Sequence, residues 1–123
     1  MKPEVFLGWA RDLLNRSEFG DEGVWPRTVA FLGRQGLESG LDLFWEQNHL
    51  PDMVATTRFT QLACLGEYLE DQETVGGVRT AWASLSRACH HHPYELSPTA
   101  TELDISLTQA ESLVGQLQNA ALR

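Results

Sequence analysis

The residue types best suited to chemistry lie in one segment, Arg87 to Glu95, with the sequence RACHHHPYE. Imidazole titrates near neutral pH, so consecutive histidines can accept or donate protons under ordinary conditions. A helix C-terminus and a nearby Glu95 would favour the protonated imidazole, whereas repulsion by Arg87 would disfavour it. These opposed influences on a group that titrates near neutrality indicate general acid or base chemistry.

Helical geometry divides the histidines into two sets. At about 100° per residue, Arg87 lies about 40° from His91 and about 60° from His90, so these three share a face. A continued helix would place His92 on the inward apolar side instead. Pro93 disfavours helical conformation at the residue before it, which would let His92 turn toward Arg87. The spacing leaves both positions of His92 open.

Five helices position this segment, because apolar residues recur at spacings of three and four and no strand-like alternation of useful length occurs. Helix four ends where Pro93 interrupts it, and Thr99-Ala100-Thr101-Glu102 forms a capping box that begins helix five. The first three helices are expected at about Pro3 to Ser17, Trp25 to His49, and Thr56 or Thr57 to Asp71. Helix four is expected to begin near Thr74. The chain is therefore predicted to be all-α, an antiparallel bundle of about five helices, as a single domain over residues 1–123.

Two packing expectations follow from the periodicity. The buried stripe of helix one is expected to consist of Val5, Phe6, Trp9, Leu13 and Leu14. Helix two contains three glycines at spacings of three and four, Gly33, Gly36 and Gly40. They predict a groove for close helix packing, with a local kink as the alternative.

Composition narrows the classes of partner. Nine Lys and Arg residues are outnumbered by seventeen Asp and Glu, and the formal net charge is −8. A broad basic face that tracks phosphates is therefore excluded, and binding of nucleic acid would need a local concentration of cations. The two cysteines form no CxxC pair and are interpreted as buried free thiols. No signal peptide or membrane span is recognised, so a cytoplasmic location is expected.

An arginine followed by four residues and a histidine, late in a helical bundle of this length, resembles the signature of the HEPN superfamily. Arg87 and His92 match that pattern. The resemblance implies a metal-independent endoribonuclease, such as a toxin or a defence effector, that forms its site at a homodimer interface. It assigns Arg87 to stabilisation of the phosphate in the transition state and His92 to proton transfer at the ribose 2′-hydroxyl. The run LSRACHHHPYELSPTATEL also resembles small actinobacterial proteins, which implies no mechanism.

Other residues have supporting or competing interpretations. Tyr94 and Glu95 can support the histidines, and Arg58 could approach the histidine end of the bundle if neighbouring helices are antiparallel. No cofactor is expected, and no metal site either, because adjacent histidines diverge and only His49 is a distant candidate ligand. The competing hypothesis is a non-catalytic adaptor that dimerises or binds a protein partner, in which the histidines form a structural corner and bond to backbone carbonyls.

Overall fold

A computed structural model describes residues 1–16, 25–90 and 96–123 of the chain. Within these ranges there are five α-helices and one short 3₁₀-helix, Pro51–Ala55. The α-helices are α1 (Pro3–Asn15), α2 (Trp25–Gln47), α3 (Arg58–Tyr68), α4 (Gln72–Cys89) and α5 (Ala100–Gln118). The predicted all-α bundle of about five helices is confirmed. In the described ranges the extended backbone amounts to one isolated bridge, between Leu69 and Leu122.

Short polar side chains begin three of the helices. Thr57 caps α3 by accepting a hydrogen bond from the amide of Thr60, and Thr99 caps α5 in the same way from Glu102. The predicted cap at Thr99 is thereby confirmed, because a threonine oxygen satisfies an amide that has no partner within its own helix, while the carboxylate of Glu102 accepts from the threonine hydroxyl rather than from its backbone amide. Helix α4 begins earlier than predicted, because Asp71 serves as its cap.

Helix α2 is the centre of the bundle and contacts α1, α4 and α5. It runs parallel to α5, since Gly33 lies beside Leu107 and Gly40 lies beside Val114. Helices α1 and α4 flank this pair and run antiparallel to α2. The central pair buries the largest apolar side chains, including Phe44.

The glycines of α2 allow the close approach of neighbouring helices, as predicted, and α2 continues through all three without interruption. A methyl group added at Gly36 would lie 2.6 Å from Cδ2 of Leu7 in α1. At Gly40 the added group would meet Val114 of α5 at 3.2 Å. These positions are therefore restricted by packing, since protein interiors leave no room for an extra methylene.

The predicted buried stripe of α1 is largely wrong. The residues of α1 that are buried are Pro3, Leu7, Ala10 and Leu14. Val5 and Trp9 are 37% and 49% exposed, and Phe6 packs edge-on against Trp9. Only one side of α1 meets α2 and α5, and Gly36 determines that side by accommodating Leu7. Helix α1 therefore presents apolar side chains on two faces and buries one of them.

Candidate functional site

The C-terminal end of α4 is the part of the bundle that holds the histidine run. Arg87 lies in the last turn of α4, and His90 is the residue that ends the helix. Both side chains are exposed. The other four predicted residues of this segment lie outside the described part of the chain: His91, His92, Tyr94 and Glu95.

Arg87 lines a surface groove between the end of α4 and the beginning of α5. Leu96 and Pro98 form an apolar wall of this groove, and Glu102 and Ser106 of α5 contribute polar groups. The groove therefore combines a cation, a carboxylate and hydroxyl groups beside an apolar surface. Such a mixture can hold part of a small polar ligand, since a few polar groups fix its orientation.

His90 approaches α2, so the side chains of Arg87 and His90, which were expected to share a face of α4, lie beside different neighbouring helices. Its Nε2 is 3.5 Å from Nη1 of Arg34, and the same Nη1 is 3.4 Å from the hydroxyl of Ser86. The structure therefore brings His90 together with Arg34, while the side chain of Arg87 lines the groove toward α5. Ser86 and His90 are one turn apart on α4, so both face the same neighbouring helix.

The predicted support residue Arg58 belongs to a partly buried polar network between α2 and α3. Its Nη1 and Nη2 donate to the two carboxylate oxygens of Asp42, with 3.1 Å between Nη2 and Oδ2. Nη1 also donates to Oε1 of Gln61 at 3.1 Å. The hydrogen bonds that Arg58 donates to the Asp42 carboxylate raise the pKa of Arg58 above its ordinary value. Their effect outweighs that of partial burial, which lowers the pKa. Arg58 is therefore held in a bidentate geometry that suits a guanidinium.

Glu38 connects Arg58 with the histidine end of α4. It is a buried residue of α2, and its Oε2 accepts a hydrogen bond from the indole of Trp82 at 2.9 Å. The Nε of Arg34 and the Nε of Arg58 lie 3.6 and 3.5 Å from its carboxylate. One carboxylate thus balances two guanidinium groups, as buried charges require. Arg58 contacts Glu38, whereas the arginine that lies beside His90 is Arg34, which faces the same carboxylate.

Gln61 belongs to the same network, because its Oε1 accepts a hydrogen bond from Arg58. This fully buried side chain accepts a hydrogen bond from the indole of Trp45 at 3.2 Å and donates to the backbone carbonyls of Met53 and Thr56. The amide therefore ties the 3₁₀-helix to α2 and α3. Its donors and acceptors are all engaged, which makes its role structural.

Sequence reasoning missed Arg34 and Glu38 as site residues. The available signal was their i, i+4 spacing, which favours an ion pair on one helix face, together with the position of Glu38 directly after a buried Leu37. The partners on α4 gave no such signal, because contacts between two helices depend on how the helices align.

Metal-binding residues are not clustered in the described part of the chain: no three His, Cys, Asp or Glu side chains lie close enough together there to hold an ion. His49 is an exposed residue at the end of α2. Cys64 and Cys89 are both free thiols, as predicted, but they are partly rather than fully buried. Burial raises the pKa of the Cys89 thiol, with a further increase from Glu38 and an opposing effect of Arg34.

Comparisons of the chain with protein-family models, with curated protein sequences and with solved structures gave no match. Within the described ranges, none of the helices combines the length and the apolar character that crossing a bilayer requires.

Proposed function

We propose that the chain is a metal-independent endoribonuclease of the HEPN type, with its site at the C-terminal end of α4. The observation that carries the proposal is the exposure of Arg87 and His90 in the last turn of α4, beside an open groove. A polymeric substrate can reach an exposed helix end without any rearrangement of the core. The guanidinium of Arg87 also suits its position, since a helix C-terminus favours positive charge.

The chemistry uses the nucleophile that RNA itself supplies. The 2′-oxygen attacks the adjacent phosphorus, its proton passes to His92, and the bond from phosphorus to the 5′-oxygen breaks. The leaving 5′-oxygen takes a proton from the solvent or from a second imidazole. The products are a 2′,3′-cyclic phosphate and a 5′-hydroxyl. Arg87 stabilises the negative charge on the phosphate oxygens in the transition state.

A homodimer would assemble the site from two copies of the α4 end. The formal net charge of −8 opposes binding of RNA at long range. Two copies of Arg87 and of the histidine run, placed at one cleft, would concentrate enough positive charge to overcome that repulsion locally. A ribonuclease of this kind would act in the cytoplasm as a toxin or a defence effector.

Cleavage of RNA without metal tests the proposal. The purified chain is incubated with a labelled oligoribonucleotide in excess EDTA, and the products are analysed for the 2′,3′-cyclic phosphate. Arg87→Ala and His92→Ala should each reduce the rate by about 100-fold or more. His91→Ala, measured in parallel, decides which histidine acts.

The matched control is Arg11→Ala, which removes an equal charge from α1, where Arg11 is paired with Asp104 and Glu111. It should cleave at the rate of the unmodified chain. An oligonucleotide with a 2′-deoxy sugar at the cleaved position should remain intact. Equal cleavage by the unmodified chain and by Arg87→Ala would contradict the proposal, since it would indicate a contaminating nuclease.

The apolar outer face of α1 favours the second candidate, a non-catalytic adaptor that dimerises or binds a protein. Trp9 is 49% exposed and Val5 37%, whereas large aromatic side chains are enriched at the centres of protein interfaces. Under this hypothesis Trp9→Ser should convert a dimer to a monomer in light scattering, and Arg87→Ala should leave the dimer intact. A monomeric unmodified chain would exclude dimerisation through α1.

A further inference from the structure

Two arginines share the carboxylate of Glu38, yet their remaining donors are used very differently. Arg58 has both of its terminal nitrogens on Asp42 and a further hydrogen bond to Gln61. The Nε of Arg34 is buried and has no hydrogen-bond partner among the described residues. Since an unpartnered buried donor is costly, this difference needs an explanation.

The surroundings of Arg34 are those of an anion site. Among the described residues, its Nη1 has two long contacts, 3.4 Å to the hydroxyl of Ser86 and 3.5 Å to Nε2 of His90. The side chain retains an exposed fraction of 19%, and His90 beside it is exposed. Glu38 is the nearest counter-charge, but its carboxylate also accepts from Trp82 and faces Arg58. Arg34 therefore shares its counter-charge with two other donors.

We propose that Arg34 binds a phosphate group of the RNA backbone, next to the phosphate that Arg87 contacts. This inference rests on the proposed ribonuclease function and adds a residue of α2 to the substrate site. A guanidinium presents a planar fork of N–H donors that matches two phosphate oxygens, and a serine hydroxyl can donate to a third oxygen. Arg34, Ser86 and His90 supply these groups from two helices.

The position of Arg34 also fits a strand that crosses the end of α4. Arg34 and His90 lie on the side of α4 that faces α2, and Arg87 lies on the side that faces α5. An RNA backbone that contacts both arginines would pass over His90 and the end of α4. Cleavage and binding would then depend on different arginines, which makes the inference separable from the proposed chemistry.

Nuclear magnetic resonance of the arginine side chains tests the contact directly. The probe is a uridine dinucleotide whose 2′-oxygen is methylated, so that it binds without being cleaved. The Nε–H signal of Arg34 should shift in a saturable manner, whereas the signals of Arg58 and Arg11 should stay in place because the terminal nitrogens of both already donate to carboxylates. An unchanged Arg34 signal at saturating dinucleotide overturns the inference.

Inorganic phosphate is the second arm of this experiment, because it offers the same oxygen atoms without an RNA backbone. The Arg34 signal should respond to the dinucleotide at a concentration at least about tenfold lower than to phosphate. Equal responses would make Arg34 a site for free anions and would overturn its assignment to RNA.

Salt dependence provides a test by substitution. Arg34→Gln should lower the slope of log Kd against log salt for a methylated single-stranded RNA by about 0.7, the value expected for one lost phosphate contact. Arg11→Gln removes the same charge from a distant ion pair and should leave the slope unchanged. Circular dichroism verifies that both variants are folded. Equal slopes for the two variants would overturn the inference.

The outcomes also separate this inference from the proposed function. Cleavage of RNA in EDTA with no response at Arg34 would retain the ribonuclease and reject the phosphate contact. A response at Arg34 without cleavage would retain an RNA-binding site and reject the catalytic proposal.

Discussion

Glu38 is the residue on which the polar interior of the bundle depends. Its carboxylate meets the indole of Trp82 and two guanidinium groups, and its side chain is only 12% exposed. Removing one member of a buried charged network leaves the others without a counter-charge, which costs more than the interaction itself is worth. The network therefore makes α2, α3 and α4 sensitive to a single substitution.

We expect Glu38→Gln to lower the free energy of unfolding by about 2 kcal/mol, because Arg34 and Arg58 lose their shared counter-charge. Urea denaturation monitored by circular dichroism measures the change. Glu46→Gln, on the exposed side of the same helix, is the control and should change the stability by less than about 0.5 kcal/mol. Equal effects of the two substitutions would show that the network contributes nothing to stability.

Cys89 should behave as a thiol with a raised pKa, since burial disfavours its thiolate. In a Cys64→Ser variant, the rate of reaction with an aromatic disulfide should reach its half-maximum at a higher pH in the folded chain than in urea. Because the folded pKa is raised, the neutral thiol stabilises the fold at lower pH, and this contribution declines as pH rises above the ordinary thiol range. Identical pH profiles in both states would contradict the assignment.

At the scale of the helices, two glycines in different surroundings give opposite predictions. Gly36→Ala should lower the free energy of unfolding by about 1 to 3 kcal/mol, because the new methyl group would overlap Leu7 and push α1 away from α2. Gly76→Ala in α4 meets nothing within 4 Å and should stabilise the protein by up to about 1 kcal/mol through helix propensity. Urea denaturation compares both variants with the unmodified chain, and changes of the same sign would contradict the packing.

The end of α2 contains a strained residue. His49 has a φ of 62°, and the amide of Leu50 bonds back to the carbonyl of Trp45, as in a helix C-terminus closed by a left-handed residue. We expect His49→Gly to raise the free energy of unfolding by about 1 kcal/mol, since glycine adopts positive φ without a Cβ clash. Gln47→Gly, in the last helical turn, is the control and should lower it by about the same amount. A loss of stability in both variants would contradict the strain.

At the scale of the whole molecule, the central position of α2 predicts where the bundle resists opening. Helix α2 is in contact with three other helices, whereas α1 leaves its outer face exposed. Hydrogen exchange measured by mass spectrometry should therefore find the slowest amides in α2, with α1 exchanging faster through local opening. Equal protection of α1 and α2 would mean that the bundle opens only as one unit.

Much of the fold was predictable from local features of the chain. Apolar spacing, the capping threonines Thr57 and Thr99 and the glycines of α2 are properties of neighbouring residues, and they specify where helices form and which ones can pack closely. The concentration of arginine and histidines at one helix end is equally local, so the candidate segment could be found before any helix was placed.

Only the tertiary structure decided how the site is composed and which face of α1 is buried. Arg34 and Ser86 are 52 residues apart in the chain, and their contact depends on the antiparallel alignment of α2 with α4. That alignment results from side chains fitting together along the whole helix pair, which no single segment specifies. The same dependence buries Leu7 instead of Trp9, because a glycine on α2 determines which side of α1 can approach. The chain thus specified its helices and its candidate segment locally, while packing between distant helices selected the partners of that segment.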